Sequence, residues 1–91
     1  MTIRWTPSAL TDVERIYAFV ATVDPARGRA IVEALVNRVE RLTQLPGIGQ
    51  RVPRYEPREV RRLFIGDYEL RYELKPSTII VLRVWHTRED R

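Results

Sequence analysis

The side chains here that could do chemistry are arginines, phenols and one imidazole. All but one of the sixteen basic residues are arginine, with Lys75 the exception. The planar guanidinium suits bidentate contacts to phosphate or carboxylate. Arg61, Arg62, Arg71, Arg83 and Arg88 crowd toward the end of the chain, beside the only histidine, His86. An imidazole titrates near neutral pH and can act as an acid. Tyr55, Tyr68 and Tyr72 add candidate catalytic phenols. With a base, an acid and cations placed on one phosphate, such a set can cut a phosphodiester without a metal. Without them it can still bind anions.

Plainer readings stand beside these. An arginine-rich genome would produce the same composition. His86 can be a strand-end histidine that packs on Tyr68 and the first helix. Tyr68 and Tyr72 alternate with charged residues in a way that points them into a core. Composition also excludes chemistry. The chain has no cysteine, hence no disulfide, thiolate zinc site or cysteine nucleophile. One histidine leaves no His-rich metal centre, and no metal or cofactor is expected. Residues 2–5 are too short and polar for a signal peptide, and no apolar run is long enough to span a bilayer, so the expected location is cytoplasmic. The formal net charge of +4 permits nucleic acid or an acidic protein as partner without choosing between them.

The elements that position these groups follow from periodicity. At 91 residues the chain is one domain, 1–91. Tyr68, Leu70, Tyr72 and Leu74 alternate with Glu69, Arg71, Glu73 and Lys75, the period of a strand wet on one face. Gly66-Asp67 fits a two-residue type II′ turn back to a strand over 60–65. That turn puts Leu63, Ile65, Tyr68, Leu70 and Tyr72 on the core face, with Arg61 at its rim. Val60, Arg62 and Phe64 join Glu69, Arg71 and Glu73 on the open face. A third strand over 79–86 is apolar almost throughout. A two-residue loop at Pro76-Ser77 would pair Leu74 with Ile79 and drive Arg83 into the core. Burying an unpaired guanidinium is costly. A three-residue loop over 76–78 is therefore expected, pairing Leu74 with Ile80, Tyr72 with Leu82 and Arg71 with Arg83. The open face then carries Arg62, Arg71 and Arg83 in a row, interleaved with Phe64 and Trp85. Like charges directly opposite are unfavourable, and Glu69 and Glu73 are available to offset them.

Earlier in the chain, residues 2–5 form a short strand. Thr6-Pro7 and Asp24-Pro25 each place an N-cap before a first-turn proline. They start helices over 7 to about 23 and 25 to about 45. Ala9, Val13, Ile16 and Val20 line the first, with Asp12, Glu14 and Arg15 facing out. Ile31, Leu35, Val39 and Leu42 line the second. Residues 47–58 are irregular and proline-stiffened, a crossover or a functional loop. Residues 87–91 form a polar tail expected to fray. The pattern is β-α-α-β-β-β, an α+β domain with a helical hairpin on one face of a mostly antiparallel sheet.

Taken in order, several short motifs resemble one family across nearly the whole chain. They are Trp5-Thr6-Pro7-Ser8-Ala9, Asp24-Pro25, Leu45-Pro46-Gly47-Ile48-Gly49-Gln50-Arg51 and Val60-Arg61-Arg62-Leu63. Gly66-Asp67-Tyr68-Glu69-Leu70-Arg71-Tyr72 and Val84-Trp85-His86-Thr87-Arg88 follow. The chain resembles the RelE/ParE superfamily of type II toxin–antitoxin toxins, of the plasmid stabilisation type, and is most similar to its ParE-like branch. The resemblance implies a RelE-like two-layer fold with the first strand beside the last. It implies growth arrest, and neutralisation by a small ParD-like antitoxin in a hetero-oligomer. It offers two activities: a non-enzymatic inhibitor of DNA gyrase, or a ribosome-dependent mRNA endoribonuclease of RelE type. For the nuclease the matching positions are Arg61, Arg62, His86 and Arg88. Glu69 stands where an arginine is expected, and Thr87 follows His86 where tyrosine is expected. Both gaps count against that chemistry. Contacts to target or antitoxin are expected from Arg62, Arg71, Arg83, Trp85, His86 and Arg88.

Overall fold

A computed structural model describes residues 1–89. Its elements are β1 (Thr2–Trp5), α1 (Pro7–Ala21), α2 (Pro25–Arg41), β2 (Gln50–Arg51), β3 (Val60–Ile65), β4 (Tyr68–Leu74) and β5 (Thr78–His86). The sheet order is β1-β5-β4-β3-β2. β1 runs parallel to β5 and every other pair is antiparallel. The helical hairpin covers one face, giving the expected two-layer α+β architecture. No helix among the described residues is long and apolar enough to cross a membrane.

Both helix starts are built as the sequence dictates. The Thr6 hydroxyl accepts the Ala9 N–H at 3.0 Å and the Asp24 carboxylate accepts the Arg27 N–H at 3.1 Å. Each cap satisfies one of the donors that a helix N-terminus leaves unpaired. The helices stop at Ala21 and Arg41, earlier than expected. Thr22 and Thr43 donate their hydroxyls back to the Ala18 and Glu40 carbonyls, occupying acceptors of the last turns. Ile16 of α1 and Leu35, Val39 and Leu42 of the second helical segment then pack on Leu63, Leu70, Tyr72, Val81 and Val84 of the sheet.

The β3–β4 turn has Gly66 at φ +57°, with no positive φ at any described non-glycine residue. This is the type II′ pattern, and it sets the pairing of Ile65 with Tyr68, Leu63 with Leu70 and Arg61 with Tyr72. The β4–β5 connection corrects an expectation. The loop is the two-residue one: the Lys75 N–H meets the Thr78 carbonyl at 2.9 Å, and Leu74 pairs with Ile79. Tyr72 pairs with Val81, not Leu82, yet Arg71 still pairs with Arg83. A β-bulge at Leu82 absorbs the difference. One extra residue flips the register, so Arg83 is kept out of the core without lengthening the loop.

The bulge is held from α1. Thr6 donates its hydroxyl to the Leu82 carbonyl at 2.9 Å, and the Val84 N–H donates to Asp12 Oδ2 at 2.9 Å. Asp12 is therefore not outward-facing as expected; it is only 3% exposed. It lies three residues after Ala9 and four before Ile16, on the same helical stripe. Two further corrections concern loops. Within 47–58, Gln50–Arg51 adds a fifth strand on β3, flanked by 3₁₀ turns at Pro46–Ile48 and Pro53–Tyr55. In the tail, Glu89 is tied down by Arg15 at 2.8 Å and by the His86 N–H at 3.1 Å. The rest of the expected frayed tail, 90–91, lies outside the described residues.

Candidate functional site

Arg61 is a structural residue. Its guanidinium donates to the Gly47 and Gly49 carbonyls at 3.1 and 2.7 Å and pairs with Glu59 at 2.9 Å. Tyr72 completes the same anchor. Its hydroxyl accepts the Gly49 N–H at 3.0 Å and donates to the Pro46 carbonyl at 2.6 Å. Burial raises the Tyr72 pKa, which keeps the phenol in the protonated form this donation needs. A Cβ on Gly49 would lie 2.8 Å from the Arg62 carbonyl and the Tyr72 oxygen, so only glycine fits. Arg62, on the other face, donates twice to Gln50 Oε1 and lies 5.7 Å over the exposed Phe64 ring.

The arginine row of the open face is present, but it is internally compensated. Arg71 pairs with Glu69 at 2.9 Å, and both side chains are nearly inaccessible. Arg83 makes a two-point contact with Asp12, at 2.7 and 3.1 Å, from the rim of the sheet. Trp85 lies with the Arg71 and Arg83 guanidiniums 4.9 and 5.1 Å from its ring. These contacts supply the cation–π attraction that offsets two opposed like charges. Trp85 is 8% exposed, so little of it is open to the target or antitoxin contact expected of it. Burial pushes the Asp12 carboxyl up, but the Arg83 and Val84 donors outweigh it and hold its pKa below the ordinary value. Glu73 is likewise lowered, chiefly by its hydrogen bonds from Arg58.

The 53–58 segment closes over the centre of this face. Tyr55 accepts a hydrogen bond from Arg71 Nη1 at 3.1 Å, and the Arg54, Arg58 and Arg71 guanidiniums lie 5.2 to 5.9 Å from its ring. Arg54, Tyr55, Arg71, Trp85 and Arg83 thus alternate cation and ring. Together with Arg15 and Glu89 they line a recess of about 700 Å³. The Tyr55 pKa is lowered, first by the Arg54 hydrogen bond and then by Arg71. Of Arg54, Tyr55 and Arg15, Tyr55 was expected only as a candidate phenol and Arg15 only on the outward side of the first helix. The pairing rules place strand residues on faces, whereas a loop and a helix bring these three to the sheet.

His86 and Arg88 belong elsewhere. His86 packs edge-on against Tyr68, with ring centroids 5.2 Å apart, and its Nδ1 accepts the Arg88 backbone N–H at 3.0 Å. Both line a second, larger groove of about 1120 Å³. Its floor is apolar, with Ile16, Val20 and Ile31 from the helices and Ile65 and Tyr68 from the β3–β4 hairpin. Phe19 and Val23 at its edge are 78% and 89% exposed. The Arg15–Glu89 ion pair borders both the groove and the recess. The expected nuclease set is therefore not assembled. Arg61 and His86 share the covered face but sit opposite Tyr72 and Tyr68, four residues apart along β4, roughly 13 Å. Arg62 points to the other face.

Comparison with known proteins agrees with this architecture. The family model described as the ParE toxin of type II toxin–antitoxin systems, parDE, matches residues 3–91. Toxin RelE3 of Caulobacter vibrioides is 22% identical, over 93% of this chain and 92% of that protein. A solved structure described as the chromosomal ParDE TA system from P. aeruginosa superposes with a TM-score of 0.78 at 26% identity, covering 94% of this chain and 95% of the other.

Proposed function

Since the chain belongs to the ParE family of type II toxin–antitoxin toxins, we propose that it arrests growth by inhibiting DNA gyrase and is neutralised by a ParD-like antitoxin. The observation that carries the choice of target is the dispersal of the nuclease residues. Arg61 is spent on backbone carbonyls and Glu59, Arg62 on Gln50, and His86 lies in the groove on the helical side. General acid–base chemistry needs its acid, base and cations within hydrogen-bond reach of one phosphate. This arrangement favours an inhibitor that acts by binding.

The antitoxin takes the apolar groove in this reading. An amphipathic helix buries its stripe in such a groove, and the rim offers Arg27 and Arg88 to an acidic partner. The open-face arginines Arg71 and Arg83 contribute less than expected, because Glu69 and Asp12 already hold them.

The deciding experiment adds the purified chain to gyrase and relaxed plasmid. The expected result is loss of supercoiling with accumulation of cleaved DNA, reversed by the antitoxin. Unaffected gyrase, from a folded chain that still arrests growth, would overturn the proposal and make ribosome-dependent mRNA cleavage the reading to test.

A further inference from the structure

The recess on the open face holds hydrogen-bond donors that the fold does not use. The Tyr55 hydroxyl accepts from Arg71 Nη1 at 3.1 Å and from Arg54 Nη2 at 3.4 Å. Its own proton has no acceptor among the described residues. Arg71 gives Nε to Glu69 and Nη1 to Tyr55, which leaves Nη2. Arg83 gives Nε and Nη2 to Asp12, which leaves Nη1. Arg54 makes no ion pair among the described residues. Glu89, the one carboxylate among the described lining residues, is held by Arg15 at 2.8 Å. Asp12 and Glu69 stand behind the recess, each bound to its arginine. Among the described residues, four arginines against these three carboxylates leave one net positive charge.

We propose that this recess binds a phosphate group of a nucleic-acid strand, held by the Tyr55 hydroxyl and the unspent N–H groups of Arg54, Arg71 and Arg83. Three features select phosphate. Every free group is a donor, so the ligand must be an acceptor. The donors come from a loop and two strands, so they approach from separate elements, which suits a tetrahedral anion better than a flat carboxylate. Both aromatic rings already face guanidiniums. The site therefore offers a base nothing to stack on and reads the backbone without sequence. Arginine hydrogen bonds to the phenol oxygen also polarise its O–H and strengthen it as a donor. This proposal does not depend on whether gyrase or the ribosome is the target.

The test titrates the purified chain into a short labelled single-stranded oligonucleotide and follows anisotropy at several salt concentrations. Binding should weaken with salt by a log–log slope of about −0.7 for each phosphate engaged, and inorganic phosphate should displace the strand. Tyr55→Phe keeps the ring and removes the hydroxyl, which is both the donor to phosphate and the acceptor that holds Arg71 and Arg54. Arg54→Gln removes the charge that no carboxylate balances. Each should lower affinity about tenfold, with an unchanged urea midpoint showing that the variant is folded. Arg41→Gln removes an equal charge from α2, outside the recess, and should leave affinity as it was. Parental affinity in both recess variants would overturn the proposal. So would displacement of the strand by an acidic peptide more readily than by phosphate, which would assign the recess to carboxylates.

Discussion

The centres of the two sheet faces are buried to a similar depth by different physics. On the covered face Leu70, Tyr72, Val81 and Val84 are inaccessible, packed beneath α1 and α2. On the open face Glu69, Arg71 and Trp85 are 1%, 8% and 8% exposed, packed against one another and beside the 53–58 loop. The first face is stabilised by removing apolar area from water, at about 25 cal/mol per Å². It tolerates any well-shaped hydrophobe. The second gains little net energy, since pairing mostly offsets the desolvation of its charges. In return each of its groups has one geometry, fixed by a named partner. Truncation should therefore cost more on the covered face, and exchange of charge should matter only on the open one.

The largest effect should come from Leu70→Ala on the covered face, a loss of about 3 kcal/mol in urea unfolding. Asp12→Ala should follow at about 2 kcal/mol, because it strands the Val84 N–H and releases Arg83. Arg83→Met should cost under about 1 kcal/mol, since that side chain is 44% exposed and Asp12 keeps its backbone donor. Equal losses from these two would show that the guanidinium, and not the bulge carboxylate, organises the open face. Tyr72→Phe should cost roughly 1.5 kcal/mol by leaving the buried Gly49 N–H unpaired.

Acid sharpens the contrast. Asp12, Glu73 and Glu89 all have lowered pKa values in the fold. Their contribution is complete above the ordinary carboxylate range, about 4, and is lost as pH falls through the depressed values. Stability followed across that range should decline, and Asp12→Asn should flatten the decline. The smallest effect on stability is expected at Phe19, which is 78% exposed. Phe19→Asp should stay within about 0.5 kcal/mol of the parent while weakening antitoxin binding at least tenfold, about 1.4 kcal/mol. Undiminished antitoxin binding would remove the groove from the interface.

Much of the fold was legible because it rests on local chemistry. Alternation along 68–74, glycine at the type II′ turn and two Asp/Thr-Pro helix starts each act within a few residues. The candidate site was less legible. Asp12 carried a usable signal, a carboxylate three residues from Ala9 and four from Ile16, and helical geometry alone places it on the buried stripe. His86 packed on Tyr68, as its plainer reading held. Arg62, Arg71 and Arg83 do share a face, and Glu69 offsets Arg71 as the sequence allowed, but the sequence did not show that Gln50 and Asp12 occupy the other two.

By itself the sequence determined the element order, the hairpin register of β3 and β4, the helix starts and the apolar stripes, since each follows from backbone sterics and side-chain period. Only the tertiary structure decided where Arg83 points. The two-residue loop would have turned it inward; the Leu82 bulge turns it out, and that bulge persists because Thr6 and Asp12, more than seventy residues away, supply and accept its hydrogen bonds. The same holds for Tyr55, which no period assigns to a face, and which reaches Arg71 only because the 53–58 segment closes over the sheet. Contacts between elements distant in the chain depend on packing geometry, and no local pattern encodes that.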